Sequence, residues 1–84
     1  MGCDTHMIPW KRDGRILYNI QTDRWDVWDV YSKPFALHCG ECFEIKIGDH
    51  FLPCRIEMDP DWVIYLSNTR FHLHPKASYR IRVE

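Results

Sequence analysis

The sequence predicts an all-β domain, a small SH3-like barrel of about five to six short antiparallel strands with at most single-turn helices. Three observations carry that prediction. Short runs alternate apolar and polar residues, turn-forming residues separate the runs, and no window of about eleven residues places apolar side chains at i, i+3, i+4 and i+7.

The chain opens with a polar lead-in, residues 1–13, whose first part, Met1 to Met7, has the pattern of a cloning junction ahead of a second start methionine. Residues 14–84 form the single domain. Gly14 to Asn19 and Arg24 to Trp28 both alternate and are rich in aromatic or branched residues, so they form a first hairpin around Asn19 to Asp23. Asp29 to Phe35 contains Pro34 and has no sustained period, which marks a connecting loop.

The clearest local structure follows. Phe43, Ile45 and Ile47 alternate with Glu44 and Lys46, Gly48-Asp49 supplies a two-residue type II′ turn, and the pattern resumes at His50. That loop length sets the register: Ile47 opposite His50, Ile45 opposite Leu52, Phe43 opposite Cys54. Pro53 falls opposite Glu44 and, lacking an N–H, implies an edge position or a bulge. After a turn at Met58 to Asp61, the apolar run Trp62 to Leu66 is the most buried strand. Phe71 to Leu73 is a short strand or extended link, and Tyr79 to Val83 closes the sheet with Tyr79, Ile81 and Val83 facing the core.

Composition narrows the function. The net charge is −1 and hydrophobic residues are 45% of the chain, which suits a globular domain and neither a strongly basic nucleic-acid binder nor a disordered tail. The charges are uneven: Trp62 to Val83 carries Arg70, Lys76, Arg80 and Arg82 with no acid. No apolar run reaches the roughly 18 residues of a membrane span and no secretory leader is visible, which places the protein in the cytoplasm with no membrane partner and its four cysteines reduced.

The string Leu37-His38-Cys39-Gly40-Glu41-Cys42-Phe43-Glu44-Ile45, then Pro53-Cys54-Arg55-Ile56-Glu57, Asp61-Trp62 and Arg80-Ile81-Arg82-Val83, resembles a family of short uncharacterised bacterial proteins associated with Firmicutes and their mobile elements. The opening hairpin, with Leu17-Tyr18-Asn19, Thr22 and Arg24-Trp25, resembles that family's as well, so the likeness spans about residues 14 to 83. It implies a compact β domain, and it supplies no catalytic residues to carry over. This chain departs from it in a longer segment from Phe71 to Ser78.

The candidate chemistry is sparse. Cys39 and Cys42 have C-x-x-C spacing, and with Cys3 and His6 they would make a four-ligand zinc set. The register turns Cys42 and Cys54 to opposite faces, however, so small packed thiols are the favoured reading and no metal or cofactor is expected. His72 and His74 share a face of an extended segment, and two ligands alone hold a metal weakly. No nucleophile elbow, glycine-rich phosphate loop or paired carboxylates are visible, so the chain is read as no enzyme.

Aromatic residues point elsewhere. Trp25 and Trp62 take core positions, whereas Trp28 has the opposite strand parity and faces outward, as does Phe51. Trp28, Tyr31, Phe35, Phe51 and Arg55 therefore form the candidate protein-binding patch of a non-enzymatic interaction module. The alternatives are a small barrel that contacts RNA or DNA through Arg70, Lys76, Arg80 and Arg82, and a mobile-element protein that inhibits a host or defence enzyme.

Overall fold

The computed structural model describes residues 12–29 and 33–83. All regular structure in them is β: β1 Arg12–Asn19, β2 Arg24–Trp28, β3 Phe35–Ala36, β4 Cys42–Ile47, β5 His50–Met58, β6 Trp62–Tyr65, β7 Arg70–His72 and β8 Ser78–Val83. No helix among them is long and apolar enough to cross a membrane. Eight strands replace the expected five to six. The additions are short: β3 is a two-residue pairing inside what reads as a loop, and β7 is the extended link of three residues.

All eight lie in one antiparallel sheet in the order β3-β2-β1-β8-β4-β5-β6-β7. The β4–β5 register is the expected one throughout, Ile47 opposite His50 and Phe43 opposite Cys54, and Gly48 has φ 60 as the first central residue of a type II′ turn requires. From that turn the ladder alternates bonded and unbonded pairs, which points the missing N–H of Pro53 away from β4. β6 pairs only with residues 55–58 of β5, so this half of β5 is open on that side and the proline leaves no donor there for another chain.

Alternation delivers one apolar face. Ile16, Trp25, Val27, Phe43, Ile45, Cys54, Ile56, Trp62, Ile64 and Ile81 are buried together on it, joined by Leu37 and Leu73 just beyond β3 and β7. Burial of each isoleucine or valine among them contributes about 1.5–3 kcal/mol relative to exposure. Ile47 and Leu52, although in phase with this face, are about 40% exposed because the hairpin tip runs past the core.

The expected barrel is left unclosed by main-chain pairing among the described residues. A side chain does part of that work. The Trp62 indole N–H on β6 donates to the Asp23 carbonyl oxygen (3.1 Å) and carboxylate (3.2 Å) in the β1–β2 turn, and Tyr18 Oη donates to the same carboxylate at 2.5 Å. Asp23 holds φ 54, a left-handed conformation that costs a side-chain-bearing residue about 1–3 kcal/mol and persists where its surroundings hold it. The Tyr18 and Trp62 bonds are those surroundings. Asp23→Gly, which loses the carboxylate but relieves the backbone, should therefore be less damaging than Asp23→Ala, which loses both. Urea unfolding should separate the two variants by about 1 kcal/mol.

Candidate functional site

Residues directly opposite across a ladder project to the same face, so the registers can be strung into a row on the side away from the core. Trp28 lies opposite Arg15, and Arg15 lies opposite Arg80. One residue beyond the Ile45–Ile81 pair, Lys46 comes alongside Arg80, and Lys46 lies opposite Phe51. Trp28 is 51% exposed, Arg15 and Arg80 are exposed, and Lys46 and Phe51 are half-buried. At roughly 4.8 Å per strand the row runs about 19 Å across five strands.

Its charge is not neutralised. Among the described residues Arg15, Arg80 and Lys46 make no ion pair, while the surrounding arginines do. Arg82 Nε lies 3.0 Å from Asp13, Arg12 lies 3.7 Å from the buried Asp29 carboxylate, and Arg55 Nε lies 2.8 Å from Glu57, without the alignment of a hydrogen bond. Of the acids beside the row, Asp13 and Asp29 are each engaged by another arginine, Asp26 accepts a hydrogen bond from the Asn19 amide at 3.1 Å, and Glu44 lies opposite Arg82 across the β4–β8 ladder. A cleft of about 310 Å³ opens between Trp28, Arg15 and Arg80, with Asp13, Gly14 and Asp29 completing its wall.

Among the described residues three aromatic side chains stand on this face, each with arginine near it. The Arg82 guanidinium lies 3.8 Å from the centre of the Phe51 ring. Arg55 and Arg70 lie over Tyr65 at 5.2 and 5.9 Å, and Tyr65 Oη donates to Asp59 at 2.8 Å. Arg70 also reaches Asp59, at 3.4 Å, and its pKa is raised, chiefly by its hydrogen bond to Tyr65. Trp28 has Arg15 as its cross-strand neighbour and no ring or guanidinium stacked on it among the described residues.

The structure divides both residue sets drawn from the sequence. Trp28 and Phe51 share the outer face but stand at opposite ends of the row, and Arg55 is engaged with Tyr65 and Glu57. Phe35 pairs with Val27 and so belongs to the opposite face from Trp28; Tyr31 lies outside the described residues. Of the basic set, Arg80 and Arg82 belong to the face, Arg70 is tied to Asp59 at the far edge, and Lys76 sits in the turn before β8. Sequence reasoning missed Arg15 and Lys46, because they become neighbours of Arg80 only through the long-range β1–β8 and β4–β8 ladders.

The thiols correct another expectation. Cys42 is disulfide-bonded, so it is not the reduced residue that was expected and has no thiolate to give a metal; Cys39 is free and exposed, and Cys3 and His6 lie outside the described residues. The C-x-x-C segment is a turn: Glu41 N–H donates to the His38 carbonyl (3.1 Å), the Glu41 carboxylate accepts from the His38 N–H (2.7 Å), and Gly40 has φ 88, as the third position of a type II turn requires. Among the described residues no three His, Cys, Asp or Glu side chains converge to hold a metal, and His72 and His74 are both exposed. Burial pushes the Cys54 thiol up to about 12.

Comparison with known proteins adds a family. The sequence profile of a domain of unknown function, DUF5348, matches residues 14–83. A crystal structure of a protein from Ruminococcus gnavus is similar, at 33% identity over 86% of this chain and 100% of that one, with a TM-score of 0.70. A comparison with curated proteins found no match.

Two measurements check this geometry. Trp28→Ala should cost about 1 kcal/mol or less in denaturant unfolding, whereas Trp25→Ala, at a site 1% exposed, should cost about 3–5 kcal/mol. For Cys54, the folded state holds its proton up to about 12 while an unfolded thiol loses it near the ordinary 9.0. The folded state therefore binds more protons between those values, and stability should fall as pH rises from about 9 to about 12. Cys54→Val should remove that component of the fall.

Proposed function

Because the chain belongs to the DUF5348 family, whose description carries no activity, we propose its function from its geometry: a non-enzymatic binding module whose outer sheet face takes nucleic acid. The observation that carries this reading is the Trp28–Arg15–Arg80–Lys46–Phe51 row. Arginine directly opposite arginine, with a lysine alongside, is unfavourable within the sheet and is relieved by an external anion. Phosphates spaced along a backbone supply such anions, and aromatic residues at both ends suit the bases between them.

Several of the side chains able to do chemistry are engaged structurally, which supports binding over catalysis. Tyr18 and Trp62 hold Asp23, Tyr65 and Arg70 hold Asp59, and the Cys54 thiol is a poor nucleophile with its pKa near 12. The cytoplasm, where nucleic acid is met, is part of the proposal. The Ruminococcus gnavus origin of the solved relative supports a bacterial source.

A second reading, a protein partner such as a host enzyme to be occluded, is supported by Phe35, 36% exposed on the outermost strand of the sheet. Salt separates the two. Fluorescence anisotropy with a labelled oligonucleotide should show affinity falling steeply with salt, and Arg15→Ala, Arg80→Ala and Lys46→Ala should each flatten the log–log slope by about 0.7–0.9. No binding at low salt, or slopes unchanged in all three variants, would rule the nucleic-acid reading out.

A further inference from the structure

The three outer-face aromatics differ in one respect: whether their ring faces are free. Phe51 is covered by the Arg82 guanidinium at 3.8 Å, and Tyr65 carries Arg55 and Arg70. Both rings already have a cation where a base would stack. Trp28 is 51% exposed, is the last residue of β2, and borders the 310 Å³ cleft with Arg15 and Arg80.

Resting on the nucleic-acid reading above, we propose that the ligand is single-stranded and that one base stacks on the Trp28 indole while the adjoining phosphates lie on Arg15 and Arg80. The spacing suits this. Arg15 is the directly opposite cross-strand neighbour of Trp28, about 5 Å away, and Arg80 stands one strand further, so a base on the indole places its flanking backbone over both guanidinium groups. A base in a duplex has both faces covered by its neighbours and must leave the stack before it can present one to a side chain. An exposed indole next to unpaired arginines therefore selects a strand whose bases are already free. Because every base has a π face, the site discriminates strandedness more than sequence.

The test compares three fluorescently labelled probes of equal length in anisotropy titrations: a thymidine oligonucleotide, an abasic oligonucleotide with the same phosphates, and a duplex. The wild-type protein should bind the thymidine strand about 5- to 150-fold more tightly than the abasic strand. It should also bind the thymidine strand more tightly than the duplex. Trp28→Ala should reduce thymidine-strand binding to the abasic level and leave abasic binding unchanged, and Trp28→Phe should keep most of the difference. Equal binding of thymidine and abasic strands, a preference for the duplex, or no effect of Trp28→Ala would each overturn the stacking site and leave the nucleic-acid reading intact. Absence of binding to all three probes would overturn both.

Discussion

The pairing of β8 with both β1 and β4 is the constraint on which the remaining structure depends. On one side of β8 lies β1 with β2 and β3; on the other lies β4 with β5, β6 and β7. Among the described residues no other ladder joins the two groups. Each is a set of adjacent hairpins with a single apolar face, and neither face has a partner until β8 brings the two together. Ile81, with Gly14 opposite on one side and Ile45 on the other, is wholly buried at that junction. The Trp62–Asp23 contact then draws in the opposite rim, so the coiled sheet is held by a ladder on one side and an indole on the other.

The same junction produces the charged row. A sheet surface at the middle of a small domain commonly alternates opposite charges, and much of this one does: Arg82 with Asp13, Arg55 with Glu57, Arg70 with Asp59. Exposed pairs of this kind contribute little to stability, about 0–1 kcal/mol each. Their larger effect is on the field, because they offset charge beside the row, whereas Arg15, Arg80 and Lys46 make no ion pair among the described residues. Arginine opposite arginine costs the fold only about 0.2–1 kcal/mol, since both side chains are solvated. A chain with net charge −1 thus concentrates positive potential on one strip while remaining near neutral as a whole.

Local features were legible in the sequence where their physics is local. The β4–β5 register follows from a two-residue loop, and the outward direction of Trp28 follows from strand parity, so both could be read directly. Phe35 was grouped with Trp28 because Pro34 concealed a two-residue pairing that assigns it to the other face. The basic row was not legible as such. Arg15, Lys46 and Arg80 come from different thirds of the chain, and grouping charge along the sequence joined Arg80 to Arg70 and Lys76, from which the fold separates it. The Cys39–Cys42 spacing resembles part of a zinc set because turns and metal knuckles share the need for a glycine between close cysteines. Here the turn geometry and the His38–Glu41 bonds account for the glycine and the glutamate.

The central position of β8 also bears on how fast the domain assembles. Asp13 and Arg82, paired at the junction, are 69 residues apart in sequence, and nearly all the intervening chain must be restrained before their strands meet. Loop closure over that distance gives little return until the apolar faces on both sides of β8 have come together. Proteins dominated by such non-local pairings fold in about milliseconds to seconds, well behind helical domains of equal size. Through that interval the two hairpin groups present unpaired edges at β1 and β4, and a second molecule in the same state offers the same missing strand. The proline at position 53 guards an edge of the finished sheet; the slot that β8 fills has no such guard, which makes exchange of that strand between nascent molecules the principal hazard of this topology.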